Sequence, residues 1–161
     1  MTDIESYYRH SREKLFGYLL RLSANTDLAA DLTQETFLRY VEHYGNDDIK
    51  PPLLYRIARN MAIDSIRSSR RLTQLVDDTI DDRATPDQEL SNRAEFQAML
   101  QAMQELKADE REILALVSGD DHLTYLDIGK IMGISEGNVK VKIHRARVKL
   151  RDLTQRQSHA R

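Results

Sequence analysis

Apolar positions along this chain recur every three or four residues and nowhere alternate for a useful length, which is the period of helices rather than strands. The clearest case lies near the end of the chain. At about 100° per residue, Val139, Ile143, Ala146 and Leu150 fall on one narrow stripe, while Lys140, Lys142, His144, Arg145, Arg147, Lys149 and Arg151 cover most of the remainder. Val141 and Val148 point away from the stripe, where an exposed apolar side chain can touch a thymine methyl. Just upstream, Thr124 with Asp127 three residues on forms a capping-box-like helix start. Gly133 sits where that helix must stop, and Ser135 suits the N-cap of a second one. Gly129 allows the two axes to approach closely, with Ile128, Ile134 and Val139 packed around the turn. Residues 123–151, LTYLDIGKIMGISEGNVKVKIHRARVKLR, therefore predict a helix-turn-helix, whose second helix enters a DNA major groove. A basic helix alone is more often a solvated surface; the turn grammar attached to this one favours DNA.

Further upstream, Phe96, Met99, Leu100, Met103 and Leu106 recur at helical spacing, the methionines as core filling rather than ligands. ADEREILALV, residues 108–117, predicts another helix with its acidic residues toward the start, as the helix dipole prefers. LTQLVDDTIDDRATPDQ, residues 72–88, shows no sustained apolar period and reads as an extended acidic linker. The expected organisation is all-α, with an N-terminal helical domain over 1–71, a flexible linker over 72–88 and a C-terminal helix-turn-helix domain over 89–161.

In the N-terminal part, residues 27–44 predict a helix stopped by Gly45, with Ala30, Thr33, Phe37, Val41 and Tyr44 on its core side and Tyr40 close by. The opposite side carries Asp27, Asp31, Gln34, Glu35, Leu38 and Glu42. An acidic face is as often merely solvated; Leu38, apolar at its centre, tilts it toward protein binding. The next helix starts near Pro51 and Pro52 and runs to residue 71. Leu54, Ile57, Ala58, Met61 and Ala62 form its apolar side, with Arg56, Asn60, Arg67 and Arg70 opposite and Arg59 and Arg71 at the margins. Two basic helices in separate domains suggest one protein touching DNA at two sites.

Composition narrows the classes. The 161 residues carry a formal net charge of −2, which argues against a protein that simply coats DNA, and the charge is segregated along the chain. There is no cysteine, so disulfides and cysteine-ligated metals are excluded. His10, His43, His122, His144 and His159 are scattered without ligand spacing; His122 beside Asp120 and Asp121 reads as a surface turn rather than a metal site. No phosphate loop, nucleophile elbow or paired-His motif is present, so neither enzyme chemistry, a metal nor a cofactor is expected. No apolar run approaches membrane-spanning length and no signal-peptide core stands at the N-terminus, so no membrane insertion and a cytoplasmic location are expected.

Taken together, DLAADLTQETFLRYVE, LYRIARNMAIDSIRSSRR and LTYLDIGKIMGISEGNVKVKIHRARVKL, in this order around an acidic linker, resemble the extracytoplasmic-function (ECF) class of bacterial sigma factors. The resemblance implies two helical domains, one for each half of a promoter, and a role in carrying core RNA polymerase to selected genes. It assigns Asp31, Gln34, Glu35 and Leu38 to docking on the polymerase, the face the helical wheel singles out independently. LYRIARN is similar to the segment that opens the minus-10 element and captures a flipped base, which implies Asn60 at the pocket with Tyr55, Arg56 and Arg59 nearby, and Arg67 and Arg70 along the same DNA path. The recognition helix would read the minus-35 element with Lys140, Val141, His144 and Arg145, supported by Arg147 and Lys149. In the loop EHYGNDDIKPPL, Leu53 stands where the family usually has a Trp. The four aspartates Asp77, Asp78, Asp81 and Asp82 of the linker suit a positive channel in the polymerase. The implied partners are core RNA polymerase, promoter DNA and an anti-sigma protein. The rival readings are a stand-alone helix-turn-helix regulator that binds duplex DNA without polymerase, and an interaction protein that sequesters a regulator.

Overall fold

The computed structural model describes residues 3–46, 49–72, 87–119 and 123–159, and among these every regular element is an α-helix. In chain order they are α1 (Asp3–Ser23), α2 (Thr26–Tyr44), α3 (Pro51–Leu72), α4 (Asp87–Gln104), α5 (Ala108–Gly119), α6 (Tyr125–Met132) and α7 (Glu136–His159). The aspartates Asp77, Asp78, Asp81 and Asp82, and the Asp120–His122 turn, lie outside the described residues.

The first three helices pack on one another. The α1–α2 corner is tight because Ala24 adopts a left-handed φ of 53°, after which Asn25 caps α2 by accepting the Leu28 amide at 3.0 Å. Around it Leu15, Tyr18, Leu19, Leu32, Phe37, Tyr40, Leu54 and Ala58 are buried. Lys50 donates its backbone N–H to the Tyr40 hydroxyl at 2.8 Å, which pins the chain as it enters α3.

The face of α2 that is buried differs from the expected one. Ala29, Leu32, Thr33, Thr36, Phe37 and Tyr40 face inward, while Ala30, Val41 and Tyr44 are exposed. The threonines are tolerated inside because each hydroxyl donates to a carbonyl one turn back, Thr33 to Ala29 at 2.7 Å and Thr36 to Leu32 at 2.6 Å. Satisfied in this way, they occupy the inner face, and the large apolar residues that a wheel would place inside remain on the surface.

The last four helices form a second packed group around Leu100, Met103, Leu106, Ile113, Leu116, Ile128, Val139, Ile143 and Ala146. Met99 is half-buried, and Phe96, expected in the same stripe, is on the surface. Arg111 is buried at the end of α4, where its guanidinium donates to Met103 O at 3.2 Å, Leu106 O at 3.3 Å and the Gln104 side chain at 3.3 Å. Met103 lies in the last turn of α4 and Leu106 just beyond it, so the cation meets the negative end of the helix dipole; Met103 O also accepts the Leu106 N–H at 3.2 Å.

The two groups also meet. Helix α1 packs against α4 and α5, and α3 against α6. Arg21 Nη2 donates to Ala115 O at 2.9 Å, and Gln104 reaches Arg21 O and Leu22 O at 3.4 Å. Burial at this junction, reinforced by the Glu112 carboxylate, holds the Tyr18 hydroxyl well above its ordinary pKa, and burial lowers that of Arg21.

Candidate functional site

The helix-turn-helix is built by short-range contacts. Thr124 Oγ1 accepts the Asp127 amide and Asp127 Oδ2 accepts the Thr124 amide, both at 3.1 Å, so α6 starts on a complete capping box. At its end Gly133 takes a left-handed φ of 73°. Ile134 N–H returns to Gly129 O at 2.9 Å, and a Cβ on Gly129 would lie 2.6 Å from Ile134 O. Gly129 is therefore what lets the turn fold back on α6. Ser135 Oγ then accepts the Asn138 amide at 3.2 Å and starts α7.

Val139, Ile143 and Ala146 bury one side of α7, with Leu150 half-buried beyond them. Lys140, Val141, His144, Arg145 and Arg147 are all exposed on the other, with Val141 as an apolar residue among cations. Val148 is half-buried. Two basic residues are committed elsewhere: Lys142 Nζ meets Asp109 Oδ2 at 2.6 Å and Lys149 Nζ meets Glu110 Oε1 at 3.1 Å. Both carboxylates belong to the first turn of α5, so they brace the flank of the recognition helix, and the Lys142 hydrogen bond holds the Asp109 carboxyl below its usual pKa. Lys149, expected to face DNA, is thus held by Glu110.

Helix α3 divides its expected residues. Arg56, Asn60 and Arg67 are exposed. Tyr55 is buried, its ring edge-on to Tyr18 with centroids 5.2 Å apart. Arg59 is half-buried and donates to Glu112 of α5 at 2.9 Å. The Arg70 side chain lies outside the described residues.

On α2, Asp31, Gln34, Glu35 and Leu38 share one exposed surface, with Leu38 59% exposed and Glu35 paired to Arg39 at 3.2 Å. That surface borders a groove of about 730 Å³ between α1 and α2, lined by Glu5, Tyr8, Arg9, Arg12, Gln34, Phe37, Leu38 and Val41. Tyr8 packs edge-on to Phe37, with ring centroids 4.8 Å apart, and the Arg12 guanidinium lies over the Tyr8 ring at 5.9 Å. The contribution of α1 and of Val41 is not evident from the acidic wheel of α2. The Tyr8, Arg9, Arg12 spacing along α1 is the one sequence signal that could have shown it. Among the described residues no helix is long and apolar enough to cross a membrane.

The described residues thus form two groups of helices, the second carrying a basic helix-turn-helix. Residues 7–72 match the family Sigma-70 region 2 and residues 96–150 the family Sigma-70, region 4. The chain is 32% identical to ECF RNA polymerase sigma factor SigM of Bacillus subtilis (strain 168), over 95% of this chain and 96% of that protein. It is also 32% identical to RNA polymerase sigma factor CarQ of Myxococcus xanthus, over 92% of this chain and 87% of that one. The fold is shared with the sigma factor RpoE of Bartonella quintana, solved in complex with the anti-sigma factor NepR, at a TM-score of 0.71 and 23% identity over 95% of this chain and 97% of that one. CnrH, solved with the cytosolic domain of CnrY, superposes with a TM-score of 0.68 at 19% identity, covering 94% of this chain and 87% of that one. The chain belongs to the ECF class of RNA polymerase sigma factors. As such it binds core RNA polymerase and directs it to promoters. Matches to both regions, in order along one chain, weigh against the stand-alone regulator.

Proposed function

We propose that each of the three exposed surfaces carries one step of initiation. The acidic face of α2, with Asp31, Gln34, Glu35 and Leu38 beside the α1–α2 groove, docks on the polymerase. Helix α7 lies in the major groove of the minus-35 element, where Lys140, Val141, His144 and Arg145 reach base edges and Arg147 a phosphate. Arg56, Asn60 and Arg67 on α3 hold the opened minus-10 strand, with Tyr55, Arg59 and Arg70 completing that path. Extruding a base costs a few kcal/mol of unstacking, and Asn60, able to both donate and accept, suits a Watson–Crick edge. Lys149 supports the recognition helix from its flank through Glu110. The polymerase performs the chemistry, so no residue here needs to be catalytic. The protein works in the cytoplasm and is held inactive by an anti-sigma protein.

The observation that carries this reading is the exposure of Leu38, at 59%, in the middle of a charged face. A large apolar side chain so placed gains most by being covered. Reconstituted transcription from a selected promoter tests it with two variants of opposite signature. Leu38→Asp should weaken core-polymerase binding roughly tenfold or more, as loss of a central anchor does. Arg145→Ala should leave that affinity intact and reduce minus-35-dependent initiation by about tenfold, the cost of one base contact. Unchanged polymerase affinity for Leu38→Asp removes α2 from the interface, and equal loss of both properties in Arg145→Ala means an unfolded domain rather than a missing contact.

A further inference from the structure

Helix α7 carries cations on both flanks of its buried stripe, and the two flanks differ. Lys140, Arg147 and Arg151 run along one flank; they are exposed and form no ion pair among the described residues. Lys142 and Lys149, about two turns apart, run along the other, and both are already paired with carboxylates of α5. A helix seated in a major groove reads bases with its central residues and meets the sugar-phosphate walls with its flanks. One flank is therefore ready for phosphate, and the other is neutralised before any DNA arrives.

The neutralising carboxylates are themselves fixed by backbone. Asp109 Oδ1 accepts the Glu110 amide at 3.0 Å, which leaves Oδ2 for Lys142 at 2.6 Å. Glu110 Oε1 accepts both the Lys107 amide at 3.0 Å and Lys149 Nζ at 3.1 Å. An exposed ion pair is usually weak because two long side chains must be ordered to make it. Here the first turn of α5 holds the acceptors in place, and only the lysine has to be ordered. The pairs are nonetheless open to solvent, with the Lys142 and Lys149 side chains 34% and 40% exposed, so a phosphate can reach either ammonium group once its carboxylate is neutralised.

We infer that Asp109 and Glu110 withhold Lys142 and Lys149 from DNA phosphates and so limit the sequence-independent affinity of α7. A recognition helix restrained in this way holds a duplex weakly unless its base-facing residues find their sequence, and it is lost less readily to the many competing sites of a genome. This rests on the reading of α7 as the minus-35 helix, and the two claims fail separately in the experiment.

A fluorescent mixed-sequence DNA duplex probes phosphate contacts without any promoter, by anisotropy against the purified chain. Asp109→Asn and Glu110→Gln should each bind it several-fold more tightly than the unaltered chain at low salt. Each should also steepen the fall of affinity with salt by up to about 0.9 in the log–log slope, the signature of one phosphate gained, so that the advantage shrinks about threefold between 50 and 200 mM. In a Lys142→Gln background, Asp109→Asn should bring no gain. Damage to the fold cannot imitate this result, because a disturbed recognition helix loses affinity, and Gln at position 110 keeps an acceptor for the Lys107 amide. Unchanged affinity and slope in both variants, with helical circular dichroism retained, overturn the withholding. A gain that persists without Lys142 overturns it too, since the carboxylate then acts only by repelling DNA. Arg147→Ala, which touches neither carboxylate, judges α7 itself: undiminished duplex affinity refutes the minus-35 reading. A loss for Arg147→Ala with no gain for Asp109→Asn or Glu110→Gln leaves that reading standing and refutes the withholding alone.

Discussion

Gly129→Ala sets two effects of opposite sign against each other. Alanine is the better helix former by about 1 kcal/mol, and Gly129 lies within α6, so propensity alone predicts a more stable protein. The added methyl would stand 2.6 Å from Ile134 O and 3.5 Å from Val139 Cγ2. The nearer obstacle is a backbone carbonyl, and the amide of that same residue is tied to Gly129 O at 2.9 Å, so it cannot rotate aside without opening the turn. Overpacking that moves backbone costs about 1–3 kcal/mol, sometimes more. Restoring contact means the Ile134 peptide moves by the better part of an ångström, toward the upper part of that range. The net expectation is a loss of about 1–2 kcal/mol, or roughly 2–8 °C in Tm for a chain of this size. Gly137 is the control, a helical glycine of α7 where an added methyl would meet nothing within 4 Å, and Gly137→Ala should be neutral or stabilise by up to about 0.5 kcal/mol. Thermal unfolding followed by circular dichroism compares the two, and affinity for minus-35 duplex should fall only for Gly129→Ala. If Gly129→Ala is as stable as the unaltered chain and binds duplex equally well, the close approach is not what builds this turn.

Arg111→Ala should destabilise the protein by about 2–4 kcal/mol, since it strips buried charge-assisted hydrogen bonds from Met103 O and Leu106 O past the end of α4; urea unfolding measures it. A loss below about 0.5 kcal/mol would mean water replaces the guanidinium without penalty. Asp109 has its pKa depressed in the folded chain by Lys142, so its contribution is present above the unfolded carboxylate pKa of about 3.9 and is lost as pH falls through the lower, folded value. Asp109→Asn should accordingly be less stable than the unaltered chain near pH 7, with the gap closing below about pH 4; a gap independent of pH would assign it to packing.

The helix-turn-helix was legible residue by residue because its determinants are local. Thr124 with Asp127, Gly129, Gly133 and Ser135 act within five residues of their partners, and each holds the role its spacing implies. The rotation of α2 was not legible in the same way. Its inner face is chosen by α1 and α3, and buried Thr33 and Thr36 satisfy themselves, so polarity misleads a wheel there. The Asn25 cap was hidden by Ala24, whose left-handed φ nothing in the residue type announces. Contacts between distant segments were invisible in principle. Lys149 with Glu110 and Arg59 with Glu112 are separated by 39 and 53 positions, and a periodic basic helix does not reveal which cations a neighbouring helix will claim. The helical period nonetheless carries the fold class openly, and Leu38, expected on the acidic side of α2, is 59% exposed.

The most direct measurement is a titration of the purified chain against bacterial core RNA polymerase in the absence of DNA. A sigma factor that docks through α2 should bind one to one, with Leu38→Asp weakening the complex. A folded chain, free of any anti-sigma protein, that binds no polymerase would contradict the account and return the helix-turn-helix to a regulator acting on duplex DNA alone.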